Sequence, residues 1–147
     1  MKGIVIFALA IQSCVSTAAA GSSADITGIQ GKDWILAEIR TGPDIVRINR
    51  TAGANEVYTL RFEADRIGGV AFPNRYFAPY TSGEANALTI GMAGSTMMAS
   101  LFERDDLKEN EYFAYLQKVF CWELKNGTLE LHSFNVNNVE VILVFSD

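Results

Sequence analysis

The chain contains one histidine, His132, so any Ser-His-Asp or Cys-His device has to be built on it. No glycine elbow or comparable nucleophile signature supports such a device. Asn126-Gly127 is the dipeptide best suited to a two-residue type I′ hairpin turn, because both positions need positive φ. Counting outward from it sets Cys121 directly opposite His132. A Cys–His pair in contact is chemically a thiolate nucleophile or half of a metal site. Cross-strand neighbours arise in every hairpin, however, and that plainer reading outweighs both. Glu103, Asp105, Asp106, Glu109 and Glu111 cluster where a helix begins, and the helix dipole favours negative charge there. Gly91-Met92-Ala93-Gly94 lacks the lysine and the strand-to-helix setting of a phosphate loop. No catalytic, cofactor-binding or metal-ligating residue is expected, no cofactor is implied, and an enzyme is not expected.

The elements that position these residues run from Arg104 to Phe145. Asp106 with Glu109 three residues on reads as a capping box. Tyr112, Phe113, Leu116, Val119 and Phe120 then recur at helical spacing. After Phe120 the period becomes two: Phe120, Trp122 and Leu124 alternate with Cys121, Glu123 and Lys125, and Leu129 and Leu131 resume the alternation beyond the turn. The expected register pairs Leu124 with Leu129, Trp122 with Leu131 and Phe120 with Ser133. These rows should face the core and receive Phe113 and Leu116 of the helix. On the other face Glu123 meets Glu130, a like-charge pair tolerable only in water, so the Cys121/His132 face is expected to be at least partly exposed. Replacing His132 should then cost little. Val139, Val141, Leu143 and Phe145, with Ile142 and Val144 also apolar, read as a central strand covered on both faces.

Earlier in the chain, strand signals recur about every ten residues. Asp33–Arg40 and Val57–Glu63 alternate well, Ile45–Ile48 is a short strand, and Ile67–Phe72 carries Gly68 and Gly69, which suggest a bulge or a close backbone approach. Ala87–Met92 alternates again. Met92, Met97 and Met98 read as fillers of irregular core gaps. The fold class expected is α+β, mostly β: an antiparallel curled sheet or small β-barrel with one helix packed late in the chain. The aromatic stretch with Arg75, Tyr76, Phe77 and Tyr80 is the candidate interaction surface, since such residues offer large amphipathic contact area.

Residues 1–20 read as a signal peptide, with Lys2 before an apolar run too short to span a bilayer. Ala18-Ala19-Ala20 fits an ordinary cleavage site. Ile11-Gln12-Ser13-Cys14 instead resembles a bacterial lipobox, in which Cys14 is lipidated and anchors the protein to the membrane. Residues 21–31 read as a flexible tether and 32–147 as the domain. Either cleavage leaves Cys121 as the one ordinary thiol, so a domain without an internal disulfide is expected. The net charge of −5 without a basic cluster argues against nucleic acid as a partner.

Taken in order, Trp34-Ile35-Leu36, Leu60-Arg61-Phe62 with Gly68-Gly69, Phe72-Pro73-Asn74, Tyr80, Thr96-Met97-Met98-Ala99-Ser100 and the Leu124…Leu129-Glu130-Leu131 hairpin resemble the META domain, the HslJ-like family of small envelope proteins. Pro73 and Ser100 stand where the family has cysteines, which suggests that the two positions are spatial neighbours. Gly69, Asn74, Thr96, Met98 and Ala99 read as structural, with Asn74 bonding local backbone in a turn. The resemblance implies an exported or lipid-anchored, periplasmic or membrane-attached protein of the bacterial cell envelope, linked to stress response or envelope integrity. Its expected partners are the membrane, through the anchor, and an envelope protein or an apolar ligand. The alternatives are a carrier holding an apolar ligand inside the barrel and an envelope enzyme.

Overall fold

A computed structural model describes residues 25–50, 57–98 and 104–147. Ten strands and one α-helix follow one another as β1 (Asp33–Thr41), β2 (Asp44–Arg47), β3 (Thr59–Phe62), β4 (Arg66–Ala71), β5 (Asn74–Ser82), β6 (Leu88–Ile90), β7 (Gly94–Ser95), α1 (Glu109–Gln117), β8 (Cys121–Lys125), β9 (Thr128–Phe134) and β10 (Glu140–Ser146). The main sheet has the order β6-β5-β4-β3-β1-β10-β9-β8, with β2 beside β1 and β7 beside β5. Its pairings are antiparallel. A bridge between Ala87 and Cys121 and a bond from the Leu88 amide to the Phe120 carbonyl join the two ends. The sheet is therefore a nearly closed barrel with one late helix, as the strand spacing predicts.

The interior is filled by side chains from alternate positions. Trp34, Leu36, Tyr58, Leu60, Phe62, Ile67, Trp122, Leu131, Leu143 and Phe145 are all buried. β5 shows the period of two plainly: Asn74, Tyr76, Ala78 and Tyr80 are buried while Arg75, Phe77, Pro79 and Thr81 are exposed. β10 lies between β1 and β9, the central place its apolar run predicts. Asn126 and Gly127 both have positive φ and set the expected hairpin register, Trp122 to Leu131 and Leu124 to Leu129. Gly69 is a true close approach, since an added Cβ would lie 2.1 Å from the Thr59 carbonyl oxygen; at Gly68 the nearest atom is 3.7 Å away. The bulge lies elsewhere, in β1 between Leu36 and Glu38.

Several boundaries differ from the sequence reading, each for a local reason. The helix starts at Glu109, three residues beyond the expected Asp106 cap, with the Lys108 amide donating to Glu111 Oε2 at 3.0 Å. Asp106 is engaged instead by Arg104 at 2.6 Å and by the Asn49 amide at 3.0 Å. Tyr112 and Leu116 carry its buried face, with Phe113 partly buried against Tyr76. Ordered structure also begins before the expected boundary at residue 32. Ile29 is fully buried, its carbonyl accepts from Trp34 Nε1, and Gly31 donates to the Phe62 carbonyl. Residues 25–31 thus belong to the domain rather than to a tether. Residues 1–24, including the expected signal segment and Cys14, and Ser100 and Glu103 lie outside the described residues.

Candidate functional site

A group of charged side chains sits together on the outer face of β8, β9, β10 and β1. Glu123 on β8 faces Glu130 on β9 in register, and both are buried, at 6% and 5% exposure. Glu130 is level with Val144 on β10, and Val144 with Glu38 on β1. One row away, Cys121 faces His132, which is level with Ile142 and then Arg40. The sequence reading expected this face to be at least partly exposed at the tip because two like charges meet on it, and Lys125 there is exposed. The structure buries the two carboxylates, and the reason this holds is that cations from two directions reach the pair.

Arg40 reaches Glu130 Oε1 at 3.1 Å with Nη1 and Glu38 Oε1 at 2.6 Å with Nη2. Lys125 Nζ lies 2.5 Å from Glu123 Oε2 and 3.3 Å from Glu130 Oε2. The hydrogen bond to Glu123, aided by Glu130, raises the Lys125 pKa above that of an ordinary lysine. His132 Nδ1 is 3.0 Å from Glu140 Oε1, a partner that the sequence reading did not assign when it expected replacement of His132 to cost little. Its Nε2 is buried, 3.8 Å from Glu123 Oε2 and 3.9 Å from Glu130 Oε2. Phe120 packs edge-on to the imidazole with ring centroids 6.1 Å apart and stacks on Phe134.

Cys121 does not supply a thiolate. It is disulfide-bonded to a sulfur outside the described residues, which overturns the free-thiol reading for the full chain; the expectation of a domain without an internal bridge concerned the cleaved chain. The Cys121–His132 proximity is real, but its nucleophile and thiolate-ligand readings fall with the bond. What remains is a carboxylate–imidazole cluster able to hold a cation. Glu38, Arg40, Glu123, Lys125, Glu130 and Glu140 were not picked out as site residues. The signal that marks them was the Glu123–Glu130 pairing itself, since two carboxylates set opposite each other call for a cation.

The other expected sites separate on the fold. The acidic residues near the helix start are engaged locally rather than gathered round an ion: Asp106 by Arg104, and Glu109 Oε2 by Asn74 Nδ2 at 2.7 Å. Burial opposes ionisation of Asp106, but hydrogen bonds from Arg104 and from the Asn49 and Leu107 amides outweigh it and hold the carboxyl below its usual range. Asn74 is not in a local turn. Its Oδ1 accepts from the Met98 amide at 2.6 Å and from Thr96 Oγ1 at 2.9 Å, so it ties β5 to a segment more than twenty residues on and to the helix. Of the candidate interaction surface, Tyr76 and Tyr80 point into the barrel, where Tyr76 bonds the Tyr112 hydroxyl at 2.8 Å. Arg75 and Phe77 face outward. Met92, Met97 and Met98, expected as core fillers, are exposed.

Comparison with known proteins agrees with this architecture. No curated protein matches the chain significantly. The NMR structure of a protein from Burkholderia xenovorans matches with a TM-score of 0.57 and 15% identity, over 90% of this chain and 96% of that one, a likeness of fold. The family model for the META domain matches residues 27–145, starting inside the segment that packs Ile29 beneath Trp34. With most of its length matched and the barrel in place, the chain belongs to the META domain family.

Proposed function

We propose that this META-domain protein is exported and acts by binding, as an envelope protein contributing to stress resistance or envelope integrity. The observation that carries the binding reading is the outer face of β5. Phe77 is 60% exposed there, and Met92, Met97 and Met98 are exposed along the segment that contributes β7 beside it. Arg75 shares the outward face. Large apolar side chains grouped on a surface, in a protein whose other rings are mostly packed inside, suit contact with another protein. Methionine adapts such a surface to its partner. Trp34, Tyr58, Phe62, Trp122 and Phe145 fill the barrel, which favours this reading over carriage of an apolar ligand within it.

Export is supported by the signal-like residues 1–20. Within one chain the other cysteine is Cys14. A lipid thioether on Cys14 and an internal bridge to Cys121 exclude each other, since each consumes the Cys14 sulfur. Intact-mass analysis of the protein from its own cells, with and without reduction, separates a lipidated chain from a bridged one. The binding reading is tested by a photo-crosslinking residue at Phe77 in intact cells, alongside Phe77→Ser. A discrete crosslinked partner, and loss of stress resistance by Phe77→Ser at an unchanged melting temperature, are expected. Full resistance in the Phe77→Ser strain would sink the proposed surface.

A further inference from the structure

We propose that Glu123, Glu130 and His132 form a divalent-cation site of the zinc class, and that Lys125 is the resident cation a metal displaces. One ligand atom from each of the three residues lies within 4.8 Å of the others. The imidazole is oriented as metal-bound histidines are. Its Nδ1 faces the Glu140 carboxylate, which can only accept a hydrogen bond while ionised, so Nδ1 carries the hydrogen. With the hydrogen on Nδ1, Nε2 is the atom left to ligate, a buried atom with no hydrogen-bond partner that lies near Glu123 Oε2 and Glu130 Oε2. A carboxylate behind the far nitrogen is the usual means of fixing the tautomer and orientation of a ligating histidine.

Three electron-pair donors converging on one point need a positive charge between them. Lys125 Nζ supplies it to the carboxylates, and its side chain is 54% exposed, so water can take up the ammonium that a metal displaces. Arg40 holds the other Glu130 oxygen, so Oε2 stays aimed at the cluster when Lys125 leaves. Zinc binds imidazole nitrogen and carboxylate oxygen at about 2.0–2.2 Å, which places ligand atoms about 3.3 Å apart around a tetrahedral ion. The distances of 3.8 and 3.9 Å from Nε2 close to that with side-chain adjustments of about half an ångström, and the widest separation, within 4.8 Å, with about 1.5 Å shared by the two flexible carboxylates. One nitrogen with two carboxylates suits zinc or a similar divalent transition metal better than calcium or magnesium, which favour all-oxygen shells. Three protein ligands leave a fourth position for water or for a group from a partner.

The test is titration of the purified full chain, stripped with a chelator, with zinc chloride followed by calorimetry. One zinc per chain is expected. His132→Ala should weaken binding at least about tenfold and Glu140→Gln by about tenfold, the usual scale for a group that orients a ligand. Lys125→Gln, a change at an exposed side chain, should tighten it about tenfold by removing the competing cation. Far-UV circular dichroism reports whether His132→Ala folds; where it does not, Lys125→Gln decides alone. Absence of zinc binding, uptake that persists unchanged in a folded His132→Ala, or an affinity unchanged by Lys125→Gln would each overturn the proposal.

Discussion

The two faces of the β8–β9 hairpin have the same register and opposite chemistry. On the inner face Trp122 meets Leu131 in a dry core of rings and branched chains. On the outer face, one residue along each strand, Glu123 meets Glu130 at nearly the same burial. The inner row needs only volume and shape, and dispersion and water release hold it. The outer row needs charge compensation, and Arg40 reaches it from β1, a strand some ninety residues earlier in the chain. Burial alone therefore says little about what stabilises a residue; the partners decide. An apolar row tolerates any filler of the right size, whereas a buried carboxylate pair depends on particular cations.

That contrast is broken most severely on the inner face. Trp122→Ala should cost about 3–5 kcal/mol by opening a large cavity, enough to unfold a domain of ordinary stability in a denaturant titration. An unchanged melting curve would mean that the hairpin register is wrong. On the outer face, Arg40→Met should cost about 1–3 kcal/mol, because it withdraws a charged donor from two carboxylates. Adding Glu130→Gln to that variant should recover part of the loss, since a neutral amide no longer needs the guanidinium. A strictly additive double variant, measured in the same denaturant, would show that the pair is not coupled.

A smaller effect comes from alkaline pH, and it acts on both faces. Burial pushes the Tyr76 and Tyr112 hydroxyls above the ordinary 10.0, and the bond to Glu123 pushes Lys125 above the ordinary 10.5. In each case the folded state favours the protonated form. The contribution is complete below the unfolded-state pKa and is lost as pH rises through the folded one. Melting temperature should thus fall above about pH 10. Lys125→Gln should remove only the lysine share and leave the tyrosine-driven fall in place. The smallest effect belongs to Leu124, expected in the core by alternation but 45% exposed at the hairpin tip. Leu124→Ser should change stability by less than about 0.5 kcal/mol, the usual scale of a surface change; a loss near that of Trp122→Ala would mean that the tip is covered.

Alternation and turn chemistry by themselves determined a good deal of this protein. Asn126-Gly127 admits one favoured turn, and the period of two then assigns each of Cys121 to Lys125 a partner and a face. The spacing of strand signals determined a curled antiparallel sheet, and the apolar run of β10 its central place. These are short-range effects, legible because each depends on neighbours a few residues away. Tertiary structure decided what covers each face. The like charges of Glu123 and Glu130 argued for at least partial exposure, and Arg40 arriving across β10, together with Lys125 of the same hairpin, makes their burial tolerable. Asn74 reads as a turn residue until the fold brings Met98 and Glu109 to its amide. Ile29 reads as tether until Trp34 donates to its carbonyl. A side chain's own type sets what it requires, while its distance from the groups that meet the requirement is a property of the closed barrel.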